Sequence, residues 1–152
     1  MSLALRRDPV PGAVLDTQVV LDWLVFRDPQ VAALARAIES GCLRWLASEA
    51  MRAELEHVLD RGVGAAWHPD RGAIAATFGR LARLVAPVAP LPPVLRCTEP
   101  ADQMFIDLAL SAGARWLFSR DRALLRLDRR GRARGVAVLR PADWQPDAPA
   151  AA

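Results

Sequence analysis

Apolar residues along the chain fall into short continuous runs that alternate with stripes at helical spacing. Residues 13–21, Ala-Val-Leu-Asp-Thr-Gln-Val-Val-Leu, form an apolar run broken by one acid, which predicts a buried parallel strand ending near Asp16. Asp28-Pro29 punctuates the chain; Val31, Leu34, Ala35 and Ile38 then predict a helix over 30–40 that Gly41 stops. Leu-Arg-Trp-Leu-Ala at 43–47 reads as a second strand, and Ser48 as the cap of a helix running to about Arg61, ended by Gly62 and Gly64. Ile74, Phe78, Leu81 and Leu84 or Val85 predict a helix over 69–85, and the five prolines of 87–100 predict a stiff, extended connector. A helix over 101–112, a strand over 115–118, a helix over 121–130 and a strand over 136–139 follow. Strands alternating with helices argue for one α/β domain, over 13–144, with a central, mainly parallel sheet. The low-complexity end from 141 onward is expected to fray, and the leader 1–12 and tail 145–152 to be poorly ordered.

Composition excludes more than it identifies. The 152 residues are 53% hydrophobic and 24% charged, enough for a core, which rules out intrinsic disorder and a disulfide-dependent scaffold. All 20 basic residues are Arg, so chemistries needing a Schiff-base lysine, a P-loop lysine or the lysine of aspartyl-phosphate enzymes are excluded. The net charge of +3 is a mild bias toward polyanions. Cys42 and Cys97 lack metal-type spacing and read as reduced thiols. No stretch approaches the ~20 apolar residues of a membrane span, and the start lacks a long apolar segment, so a cytoplasmic protein with no membrane partner is expected.

Ligands of open α/β sheets bind at the carboxyl ends of strands, where Asp16 and Asp121 fall. Each alone also fits a turn former or helix cap. On the helix that Ser48 starts, Met51, Leu55, Val58 and Leu59 form one apolar stripe; Glu54 lies beside it, roughly 40° from Val58, while Glu49, Glu56 and Asp60 point away. A glutamate at the stripe edge can simply snorkel. On the next helix, Phe105, Leu108, Ala109 and Ala112 define an inner face; Asp102 falls roughly 60° from Phe105, whereas Asp107 lies nearly opposite and is expected at the surface. Asp102 also suits a dipole partner at a helix start. Four acids in one cleft require a divalent cation or raised pKa values. Oxygen ligands suit Mg²⁺ or Mn²⁺ rather than zinc, since neither His57 nor His68 has a partner at ligand spacing.

Three segments resemble PIN-domain proteins: Val-Leu-Asp-Thr-Gln-Val-Val, Ser-Glu-Ala-Met-Arg-Ala-Glu-Leu-Glu-His-Val-Leu, and the long run from Asp102 to Leu125. The branch they look most like is the toxin components of bacterial type II toxin–antitoxin systems, related to VapC-type ribonucleases, over about 13–144. The resemblance implies a three-layer α/β/α fold and Mg²⁺- or Mn²⁺-dependent RNA cleavage. It also implies a homodimer and a small cognate antitoxin. Matched residue by residue, it assigns metal-binding and catalytic roles to Asp16, Glu54, Asp102 and Asp121. Ser119 matches a small hydroxyl residue near the last acid, and Thr17 and Gln18 are expected to support the ligands. Two departures stand out: Gln18 replaces the usual Asn, and Ala101 the acid of an Asp-Pro-Asp-Asp segment.

The expected function is therefore a metal-dependent endoribonuclease acting as a toxin. Arg120 and Arg122, heading a stretch continued by Arg126, Arg129, Arg130, Arg132 and Arg134, would contact RNA or an acidic antitoxin segment, or form a solvated helix face. The alternative, motivated by Gln18 and Ala101, is a degenerate PIN domain that binds RNA or a protein partner without cleaving. A haloacid-dehalogenase-like phosphatase is excluded, because Gln18 occupies the place of its second Asp and lysine is absent.

Overall fold

In the computed structural model, which describes residues 10–146, the first apolar run divides at Asp16. Strand β1 (Gly12–Leu15) stops there, and Val19, Val20 and Leu21 belong to helix α1 (Thr17–Leu24), which the Asp16 side chain caps by accepting from the Val19 N–H. Helix α2 (Ala32–Glu39), entered through a 3-10 turn at Pro29–Val31, leads to β2 (Arg44–Ala47). Helix α3 (Glu49–Asp60) is capped by Ser48 as expected and followed by α4 (Arg71–Leu81).

Residues 82–84, expected to be helical, instead form strand β3 (Ala82–Leu84). The last helical bond runs from the Ala82 N–H to Phe78, and the backbone then extends to pair with β2 without a loop. As an edge strand, β3 need not be apolar on both sides, and Arg83 and Leu84 are exposed. Helix α5 (Gln103–Ser111) follows a 3-10 turn at Pro100–Asp102, and β4 (Trp116–Phe118) follows α5. The helix expected over 121–130 is two short ones, α6 (Arg122–Leu125) and α7 (Asp128–Arg132), before β5 (Ala137–Leu139). Gly131 is required where α7 meets β5, since a Cβ there would stand 2.7 Å from the Val136 carbonyl oxygen. The leader and tail lie in part outside the described residues, but β1 includes Gly12, and the end beyond 141 is ordered at its start: Pro141–Asp143 form a 3-10 turn and Trp144 is buried.

The five strands form one parallel sheet in the order β3-β2-β1-β4-β5. Ala13 sits between Trp45 and Trp116, and Val14 between Leu46 and Leu117. With the right-handed crossovers that parallel strands take, α1 to α4 cover one face and α5 to α7 the other. The architecture is α/β, with helices flanking an all-parallel sheet. Between them, Val14, Leu117, Phe118 and Ile106 are completely buried, each worth about 1.5–3 kcal/mol of burial. Trp45 packs between Trp23 and Phe78, with ring centroids 5.2 and 4.9 Å away. Among the described residues no helix is long and apolar enough to cross a membrane.

The chain moves outward from β1 to β3, then returns across the sheet to place β4 on the other side of β1. The resulting switch point, between the carboxyl ends of β1 and β4, is where open α/β sheets bind ligands. The proline-rich return passage is fastened down. The Gln103 side chain accepts from the Cys97 N–H (2.7 Å) and donates to the Leu95 carbonyl (2.8 Å), and Arg134 donates to the Pro93 and Leu91 carbonyls. Leu95 and Cys97 are thereby buried; Cys42 is exposed, and both thiols are free.

Candidate active site

Asp16 leaves β1 at the switch point, and its backbone N–H continues the ladder by donating to the Phe118 carbonyl (3.1 Å). Both oxygens of its buried carboxylate are engaged. Oδ1 accepts from the Val19 N–H (2.9 Å), and Oδ2 accepts from the hydroxyl of Ser119, itself fully buried, at 2.5 Å. Ser119 Oγ in turn accepts from the Asp121 N–H (2.9 Å), and Asp121 caps α6 by accepting from the Ala123 N–H (2.8 Å). The two strand ends are thus tied into one hydrogen-bonded chain, Asp16 to Ser119 to Asp121.

Above this chain opens a cavity of about 410 Å³. Asp16, Asp102, Asp121 and Glu54 line it together with Thr17, Gln18, Phe105 and Arg120. Glu54 is half-buried and faces it from α3, whereas its exposed neighbours are turned elsewhere: Glu49 and Glu56 pair with Arg52, and Asp60 bonds Arg71. Asp102 enters at the start of α5. Asp107, expected at the surface, is half-buried and accepts from Gln103; His57 is exposed. Among the described residues no three of the acids are gathered tightly enough to make a finished ligand set; they share a cavity rather than a point.

Two of these acids, Asp16 and Asp102, are raised above the usual carboxylate range. Burial pushes the Asp16 carboxyl up to about 6 against the opposing bonds from Ser119 and Val19, with the charges of Asp121 and Asp22 adding to the rise. Asp102 is pushed up to about 7, first by burial, then by its hydrogen bond and repulsion with Asp121. Free of cations, the folded protein holds these protons more tightly than the unfolded chain. Its stability is therefore fullest below the ordinary carboxylate pKa and falls as pH rises through about 6 to 7. Asp16 contributes about 3 kcal/mol to that loss, roughly half of it between pH 5 and 8; the more exposed Asp102 adds less. Urea denaturation in EDTA at those two pH values checks this, and equal or greater stability at pH 8 would contradict it.

One acid escaped the sequence reading. Asp22, on α1, is only 3% exposed. It takes a forked pair of bonds from Arg120 Nε (2.8 Å) and Nη2 (3.1 Å), and a third from Gln18 Nε2 (2.9 Å). Arg120, expected to contact RNA or an antitoxin, is thus anchored from within while still lining the cavity. Arg122 does not line the cavity and turns to the next depression along the sheet edge. The signal for Asp22 was its i, i+4 spacing from Gln18, visible only once α1 is recognised.

The PIN domain family model matches residues 12–123, about three-quarters of the chain and a span that contains all four cavity acids. This chain belongs to the PIN domain family. PIN domains are generally nucleases that act on RNA and typically use divalent metals, and this PIN domain places its carboxylate cavity at the switch point of its parallel sheet. No curated protein matches the chain.

Proposed function

We propose that this PIN domain is an endoribonuclease that hydrolyses RNA phosphodiester bonds with Mg²⁺ or Mn²⁺ held by Asp16, Glu54, Asp102 and Asp121. The observation that carries the reading is the meeting of four carboxylates, from four separate parts of the chain, in one cavity at the sheet's switch point. The donor set fits a hard divalent cation: every donor is a carboxylate oxygen, and two of the acids are pushed toward protonation by burial and then by the charge of neighbouring acids, which a cation would offset. When bound, such a cation lowers the pKa of water and offsets charge on the phosphate.

The chain's own residues prepare the site. Ser119 and the Val19 N–H fix the Asp16 carboxylate in one rotamer, leaving a lone pair on each oxygen directed by partners already in place. Asp102, half-buried beside the Asp121 carboxylate, is held toward its protonated form without a counter-charge, and a bound cation would favour its ionised form. Asp22 holds the Arg120 guanidinium at the wall, where its remaining N–H groups offer positive charge to a phosphate. Thr17 and Gln18, at the start of α1, border the same space; Gln18 supports Asp22 rather than an acid of the cavity.

Single-stranded RNA incubated with the purified chain and Mn²⁺ is expected to be cut, EDTA to stop cleavage, and added Mn²⁺ to restore it. Calorimetric titration should show Mn²⁺ binding below millimolar concentration. Absence of both heat and cleavage would leave the non-cleaving reading, which Ala101 and the turn of Gln18 toward Asp22 favour. The toxin role, with a cognate antitoxin and a cytoplasmic homodimer, rests on the resemblance noted in the sequence. Growth arrest on expression, relieved by a small neighbouring reading frame, tests it.

A further inference from the structure

A second depression begins at Arg122, the residue that follows Asp121 of the cavity. It measures about 630 Å³ and is bordered by Arg122, Arg126, Arg132 and Arg140, with Asp128 and Asp143. Both depressions open at the carboxyl edge of the sheet. Asp121 belongs to the loop leaving β4, its neighbour Arg122 begins the second depression, and Arg140 is the residue that follows β5. The groove is therefore next in line after the cavity along the sheet edge, from the end of β4 to the end of β5.

The arginines here are not equivalent. Arg132 donates to both oxygens of Asp128, Arg134 is engaged by the connector's carbonyls, and Arg120 is held by Asp22. Arg122, Arg126 and Arg140 are exposed, and none of them has a hydrogen-bond or ion-pair partner among the described residues. Arg122 and Arg126 stand four residues apart, one turn along the same side. Guanidinium groups left without partners offer planar forks that match phosphate oxygens and read no sequence.

We propose that this groove carries the phosphate backbone of the RNA strand on one side of the bond to be cut, with Arg122, Arg126 and Arg140 each holding a phosphate. This rests on the ribonuclease reading of the adjoining cavity. Position favours RNA over an acidic peptide as the occupant: a strand with one phosphodiester in the carboxylate cavity that leaves along the β4–β5 edge meets Arg122 directly after Asp121. Arg132 and Arg134 are left out of the set because partners within the fold already orient them, Asp128 for the first and the connector's carbonyls for the second.

The test uses the full chain carrying Asp16→Asn, which prevents cutting during the measurement. Its binding to a fluorescein-labelled 12-nucleotide polyuridylate is followed by anisotropy across a salt series, with and without Arg122→Gln, Arg126→Gln and Arg140→Gln together. The expected result is at least a tenfold loss of affinity, with the slope of log affinity against log salt falling by about 2, for three phosphates at ~0.7 each. A control removes equal charge elsewhere, at the exposed Arg36, Arg61 and Arg83. Unchanged affinity and slope overturns the proposal. So does an equal loss in the control, or labelled polyglutamate bound as tightly as the RNA and lost to the same extent. Cleavage separates the two readings. If the wild type cuts RNA and the groove variant binds it undiminished, the groove alone fails. If the wild type cuts none but the groove variant loses binding, the groove stands and the nuclease reading falls.

Discussion

Asp16→Asn should lower RNA cleavage by at least about 10³-fold, some 4 kcal/mol of transition-state stabilisation, while making the metal-free protein more stable. The two effects have one cause. Asp16 is 5% exposed, and its carboxyl is pushed up to about 6 chiefly by burial, so at pH 8 the folded chain bears a charge it would rather not carry. Asparagine removes that charge and keeps the local structure. It is as good an N-cap as aspartate, its oxygen can accept from Val19, and its amide can donate to Ser119. Because the reversed bond leaves the buried Ser119 hydroxyl proton without its acceptor, the expected net gain is about 1–2 kcal/mol at pH 8, or roughly 2–8 °C in melting temperature. Thermal denaturation in EDTA beside a cleavage assay in Mn²⁺ reads both. Cleavage at wild-type rates removes Asp16 from the site, and a lower melting temperature contradicts the burial argument.

Phe118→Ala should cost about 3–5 kcal/mol, a large share of the ~5–15 kcal/mol that holds a domain folded. The ring is completely buried, with the rings of Trp116 and Trp144 at 6.3 and 5.7 Å. Its backbone also builds the site, for its carbonyl receives the Asp16 N–H and the next residue is Ser119. The urea midpoint should fall far more for Phe118→Ala than for Phe118→Leu, which keeps most of the volume and should lose about 1.5 kcal/mol or less. A loss under 1 kcal/mol for the alanine variant would mean that the cluster around Trp144 does not hold β4 in place.

How well the sequence foretold these features depended on how local each one is. Strands β1 and β4 announced themselves because both faces are buried, which forces continuous apolar runs. Glu54 and Asp102 could be singled out because their helices have one inner stripe, and they do line the cavity. Strand β3 left no trace, since an edge strand joined directly to α4 needs neither apolar alternation nor a turn signal. Helix α1 was hidden because Val19, Val20 and Leu21 continue the apolar run of β1, and only the cap at Asp16 marks the change. The pairing of Arg120 with Asp22 joins residues 98 positions apart and is set by the meeting of β1 and β4, so no spacing rule could have shown it.

Residues beyond 123 fall outside the family match but not outside the sheet. Strand β5 supplies the outer neighbour of β4, and Trp144 lies edge-on against Trp116 and Phe118. A truncated chain ending at 123 would bare one side of β4, a completely apolar strand, and uncover two aromatic rings beside it. Such an unprotected hydrophobic edge is a template for pairing with other chains. The last twenty or so described residues thus act as a guard against self-association, and a soluble fragment must keep them through Trp144.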